Sequence, residues 1–223
     1  MKKSFIAITI VLAAIAIVFG ANMVRFNDTP SIVFLETIQD VFGGNFDVKI
    51  TSCAGDDITE DFFKTFYSDF RNGDYNAIWK YTKSNIDSIE LISPKWHESF
   101  LHGNEKIVLT DGWKYFIDRG VECNGKTKDL EFRLAVGGEF AEEPDTGKIL
   151  SASVTSVKME CPELSDGWRM VPLESYRNAV FSDNSATFIG VMDYSIEIDD
   201  GKTVEQHVYD SDKFMIQFDA FSE

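Results

Sequence analysis

Basic residues are scarce in this 223-residue chain, which sets 21 lysines and arginines against 37 aspartates and glutamates for a formal net charge of −16. Lys2, Lys3 and Arg25 precede the first acid, Asp28, so the remainder carries 18 basic residues against 37 acidic ones, a net charge of −19. Nucleic-acid binding needs lysine and arginine to displace counterions, and no basic stripe is present, so that class is excluded. Anionic lipid headgroups are disfavoured partners for the same reason. The acidity reads first as a solvated, self-repelling surface, and beyond that as a face that a basic partner would match.

Cysteine is scarce too. Cys53, Cys123 and Cys161 are too few and too far apart for a disulfide framework. None belongs to a CxxC or lies beside a histidine at ligand spacing, so they read as ordinary small residues, with at most one oxidised pair where the compartment allows it. The three histidines are dispersed. His97 and His102 are five apart, about 140° around a helix, which does not suit one metal ion. His207, beside Glu205 on an expected strand, could serve as an acid or base if it lined a cavity. There is no glycine-rich phosphate loop, GxSxG or HExxH, and Asp210-x-Asp212 is a fragment of a calcium loop. No catalytic, cofactor-binding or metal residue is expected, and no cofactor.

What is abundant is apolar. The hydrophobic fraction is 44% and there are 19 phenylalanines, the composition of a folded protein with one core of ordinary size. At the N-terminus Lys2 and Lys3 precede an apolar run from Phe5 to Val24, interrupted by Thr9 and Asn22. That run is long enough to span a bilayer, and the lysines place its start in the cytoplasm. An uncleaved single-pass signal anchor over residues 5–24 is preferred. The alternative is a secretory signal cleaved near Gly20. No cysteine follows the run, which excludes a lipoprotein anchor. Both readings put the body outside.

Past the run, Asp28-Thr29-Pro30 opens a helix with a capping side chain and a proline in the first turn, and Gly43-Gly44 closes it. Phe46, Val48 and Ile50 alternate with polar residues as a half-buried strand does. From Asp57, with Glu60 completing a capping box, a second helix carries the stripe Ile58, Phe62, Phe63, Phe66, Tyr67 and Phe70, which reads as core. Gly73 supplies a left-handed C-cap and Asp74 caps a third helix through Tyr75, Ile78 and Trp79, giving an αα-hairpin. Between Glu90 and Gly125 the pattern is poor: Lys95 to His102 is a candidate short helix and Lys106 to Leu109 a strand. From Leu130 a two-residue period takes over in Leu130, Phe132, Leu134 and Val136. It continues through Ile149 to Met159, through Phe188, Met192, Tyr194, Ile196 and Ile198, and through Phe214, Ile216 and Phe218. Gly190 marks a bulge or a close contact. "IDDGKT" turns one strand back into Val204 to Tyr209. "LTDGWKYF" and "LSDGWRMV" each read as a turn leading into a buried tryptophan.

"FYSDFRNGDYNAIWKYT", within residues 62–81, resembles the start of NTF2-like domains, in which a cone of helices covers a strongly bent sheet. Helices first and an antiparallel meander after argue for an α+β fold, and with the apolar run the expectation is an N-terminal transmembrane helix, then helices packed on an antiparallel sheet that the resemblance implies is strongly curved. The expected organisation is a signal anchor at 1–26, a juxtamembrane helix and strand at 27–56, and the body at 57–223. The helix and strand before Ser52, and the roughly 50 residues after "LSDGWRMVPL", depart from the family's pattern. The resemblance also implies a non-catalytic, protein-binding component of a bacterial envelope, of the secretion or conjugation type, whose partners are the membrane through residues 5–24 and other envelope proteins, with basic surfaces. The alternative is a small-ligand or enzymatic pocket protein. Protease added to intact spheroplasts is expected to digest the body while a cytoplasmic control survives; protection of both would place the body inside.

Overall fold

Antiparallel strands dominate the structure, and two of them are long enough to organise the rest. In chain order the elements are α1 (Ile32–Gly43), β1 (Asp47–Ser52), α2 (Thr59–Asn72), α3 (Tyr75–Asn85), β2 (Ile86–Ile92), β3 (Ser99–His102) and β4 (Glu105–Cys123). They continue with β5 (Lys126–Glu142), β6 (Ile149–Glu160), β7 (Trp168–Phe181), β8 (Ser185–Ile198), β9 (Thr203–Gln206) and β10 (Met215–Phe221). The computed structural model describes residues 29–93, 99–123, 126–160, 168–198, 203–206 and 214–222. A first sheet has the order β1-β2-β4-β5-β6, with β3 beside the start of β4; a second has the order β10-β8-β7, with β9 beside the end of β8.

β4 and β5 pair from Lys106 opposite Glu142 to Cys123 opposite Lys126. In β5, Leu130, Phe132, Leu134 and Val136 face the second sheet, joined there by Phe188, Met192, Tyr194, Phe214, Ile216 and Phe218. β4 is apolar on both faces: Val108 and Phe116 belong to that core, whereas Tyr115 and Ile117 join a separate core under the helices with Phe34, Ile38, Ile50, Phe62, Ile78 and Trp79. A strand buried on both sides loses its two-residue period, which is why only Lys106 to Leu109 of residues 105–123 read as strand in the sequence. "LTDGWKYF" is accordingly no turn. It runs straight through β4, with Gly112 kept bare by the ring of Phe218. The candidate helix from Lys95 to His102 is also corrected: residues 94–98 lie outside the described residues, and Ser99–His102 is strand.

The expected fold class needs correction. Strands far outnumber helices, and the first sheet is not strongly curled. The reason is packing: the face turned away from the helices is closed by the second sheet, whose aromatic side chains fill the space that would be the mouth of a cone. The expected transmembrane helix, and with it the single-pass membrane protein with a signal anchor, is corrected as well. Among the described residues no helix is long and apolar enough to cross a membrane, and the segment 5–24 lies outside those residues. α2, at 14 residues the longest helix among the described residues, is amphipathic.

Locally the helices follow the sequence with shifts at their ends. Ser31, not Asp28, caps α1, its Oγ accepting from the Phe34 N–H at 3.0 Å, and Gly44 ends the helix in the left-handed region. Asp57 bonds the N–H and hydroxyl of Thr59 instead of closing a box with Glu60, which pairs with Lys64. The αα-hairpin is present: Gly73 has φ 73°, its N–H and that of Asp74 reach back to Phe70 and Asp69, and Asp74 caps α3 through the Ala77 N–H. A side chain at position 73 costs about 1 kcal/mol. Phe62 and Phe66 are buried as expected, whereas Tyr67 faces solvent.

Gly190 marks a close contact. β8 keeps its register there, and a Cβ on Gly190 would lie 2.3 Å from Val136 and 3.1 Å from Val157 across the two sheets. Gly190→Ala is expected to cost about 1 to 3 kcal/mol by overpacking, and Val136→Ala in the same chain to recover part of that loss. Urea denaturation of the single and double variants reads this directly; additive losses would mean that the sheets do not meet at this point.

Candidate functional site

Two places in the fold concentrate unusual side chains, one buried and one exposed. The buried one lies between α1 and β5, where the alternation that sends Phe132 into one core sends Glu131 and Arg133 toward the helix. Ser31, the cap of α1, donates its hydroxyl hydrogen to the Glu131 carboxylate, which also accepts from the Tyr115 hydroxyl at 3.1 Å. Arg133 donates to Asp40 on α1, has Glu36 at 3.7 Å, and lies over the ring of Trp113 at 5.3 Å from its centroid. Burial pushes the Glu131 carboxyl above the usual carboxylate range, against the hydrogen bonds from Ser31 and Tyr115 and the charge of Lys83. Tyr115 is pushed well above its ordinary value by burial and by the neighbouring Glu131.

A buried carboxyl with a shifted proton affinity is what an enzyme prepares, but a structural clamp produces the same signature. Here the hydrogen bonds of Glu131 go to the first turn of α1 and to a buried tyrosine, and Arg133 holds the helix farther along. The cluster fixes α1 on the sheet.

The exposed place is the outer face of the second sheet. Residues directly opposite one another in an antiparallel pair share a face. In β8, Ala186, Phe188, Met192 and Tyr194 point into the core, so Thr187, Ile189, Val191 and Asp193 point outward. Their β7 partners are therefore outward as well: Leu173 opposite Asp193, Tyr176 opposite Val191, and Val180 opposite Thr187. Met215 of β10 extends the row Tyr176–Val191. Leu173, Tyr176 and Val180 are 44%, 50% and 55% exposed. Asp193 and Asp219 lie on the same face, the latter accepting from the Thr187 hydroxyl. Sequence reasoning missed this row because β7 shifts register between Glu174 and Tyr176. The bulge brings Leu173 and Tyr176, three apart, onto one face and hides the alternation.

The other candidate residues do not converge. His102 lies on β3, exposed, opposite Glu105; His97 and His207 fall outside the described residues. Cys53 is an exposed free thiol, the side chain of Cys123 is not described, and Cys161 lies outside. Among the described residues no cluster of histidine, cysteine and acids could hold a metal ion. Comparison with protein-family models, with characterised proteins and with solved structures finds no match. The resemblance within residues 62–81 thus stands on those residues alone.

The raised proton affinity of Glu131 makes a stability prediction. The folded chain keeps that proton to higher pH than the unfolded chain, so this group's contribution is complete in acid, below the ordinary carboxylate value. It is lost as pH rises through the raised one. Glu131→Gln keeps an acceptor for Ser31 and Tyr115 without the charge. Its melting temperature relative to the unaltered chain is expected to improve from mild acid to neutrality; a difference flat with pH would show that the carboxyl is not strained by burial.

Proposed function

We propose that this body is a non-catalytic protein-binding domain that works outside the cytoplasm as part of an envelope assembly, and that it docks its partner on the outer face of the second sheet. The observation that supports this reading is the row Leu173, Tyr176 and Val180, three large apolar side chains about half exposed on one strand of an otherwise acidic chain. Single exposed apolar residues need no explanation, but three on one face of a strand, with Asn178 between Tyr176 and Val180, are the side chains an interaction surface presents. The buried polar cluster favours the same reading, because its titratable groups are spent on holding α1. Lys2, Lys3 and the apolar run that follows support export of the body.

Photo-crosslinking in living cells tests the surface. A photoreactive side chain at Tyr176 or Val180 is expected to give protein adducts that one at Lys64, on α2, does not, and Leu173→Asp in the same chain is expected to remove them without moving the melting temperature. Adducts equally strong at Lys64, or insensitive to Leu173→Asp, would refute docking on this face.

A further inference from the structure

We infer that β7 accepts a basic, extended segment of a partner protein as an added strand, paired along its outer edge from Tyr176 to Phe181. This rests on the docking reading above and specifies what docks. β7 ends the second sheet: β8 pairs with it on one side, and among the described residues no strand pairs with the other, where β6 of the first sheet passes close by and the Ile149 N–H bonds the Asp183 carbonyl just past Phe181. Such an edge is a template for another chain unless it is blunted.

Half of β7 is blunted. Pro172, opposite Tyr194, has no N–H, and a strand tolerates proline where that N–H would point away from its neighbour. The bulge between Glu174 and Tyr176 follows directly and interrupts the ladder. Beyond it the edge is uninterrupted for six residues, the length of an ordinary strand. Ala179, opposite Phe188, shares the face of Pro172, opposite Tyr194, so by the same alternation its N–H points outward. Tyr176 and Val180 on one side, and Phe181 on the other, flank this stretch as exposed apolar side chains. An incoming strand with alternate apolar residues would cover them.

Charge chooses the occupant. A second copy brings another −16 and is repelled as a whole. A lysine- or arginine-bearing segment meets complementary charge instead. Arg169 and Arg177 on β7 are each already engaged within the chain.

The test uses the full chain and a peptide about 8 residues long with alternating lysine and valine, because main-chain pairing and charge, the two features the inference requires, are both supplied by it. Amide exchange followed by NMR is expected to slow at Ala179 when the peptide is added. The effect should weaken as salt rises and vanish for the peptide with glutamate in place of lysine. Ala179→Pro, which removes an outward N–H, is expected to weaken binding about tenfold while β8 amides stay protected. Val180→Lys, which should fold whatever happens to the proline variant, is expected to weaken it comparably by repulsion. Unchanged exchange at Ala179, or binding indifferent to both substitutions, overturns the inference. If adducts still form at Tyr176 under those results, docking on the face survives and strand addition falls. Self-association that protects the same amide without peptide would make a second copy the occupant and overturn the basic partner.

Discussion

β5 is the element on which everything else depends, because one of its faces lines the core between the sheets and the other holds α1. The strand can do this since successive side chains point to opposite sides. Leu130, Phe132, Leu134 and Val136 meet the second sheet, and Glu131 and Arg133 meet α1. A slip of one residue would exchange the two sets, driving a carboxylate and a guanidinium into an aromatic core and exposing four apolar side chains to the helix. Register is therefore specified from both sides at once. The close approaches confirm how little freedom remains: Gly112 lies under Phe218, Gly138 under Phe188 and Gly190 against Val136, so three glycines hold the spacing between the sheets.

The polar grip on α1 answers a problem that apolar packing alone leaves open. A helix resting on a flat sheet can slide or rotate with little loss of buried area, whereas hydrogen bonds at two points cannot move with it. Ser31 to Glu131 fixes the first turn, and Asp40 to Arg133 fixes the helix two turns on. Glu131 also faces the helix N-terminus, where partial positive charge accumulates. The clamp is not free, since a half-buried carboxylate is desolvated; the raised proton affinity of Glu131 is that cost expressed in protons. Tyr194 makes a similar tie on the other side of the first sheet, its hydroxyl donating to Asp118 at 3.2 Å.

Legibility in the sequence followed burial. Elements with one wet face were readable: α2 and α3 with their hinge at Gly73, β1, and the strands β6, β8 and β10; β5, covered on both faces, stayed readable because polar Glu131 and Arg133 alternate with its apolar residues. Doubly buried β4 was readable only at its start, Lys106 to Leu109, because Trp113, Tyr115, Phe116 and Ile117 farther on show no period. Missing most of that strand turned a two-sheet arrangement into one sheet beneath helices. Helix ends shifted by a few residues because several capping side chains compete near Pro30 and Asp57, and tertiary partners such as Glu131, 100 residues away from Ser31, decide among them. The candidate surface was illegible for a different reason. Its apolar row depends on a bulge, and on which side of a sheet another sheet covers; neither is a property of local sequence.

An apolar row on a strongly acidic protein sets two requirements against each other. Like charge keeps copies apart and so permits exposed leucine, tyrosine and valine without aggregation. The same row is small as an energy source. Fully burying a side chain of this size is worth about 1.5 to 3 kcal/mol, so covering three that are already half covered yields on the order of 3 kcal/mol. Micromolar binding requires about 8 kcal/mol, after the cost of association has been met. The row therefore orients a partner more than it holds one. Holding must come from elsewhere on the same strand, and β7 offers main-chain groups along an edge of a chain whose net negative charge attracts positive charge. A partner that satisfied the edge but lacked apolar side chains would lose its register. One that covered the row without reaching the edge would dissociate quickly. Specificity and affinity thus fall to different atoms of one strand, the side chains of Leu173, Tyr176 and Val180 for the first and its backbone for the second.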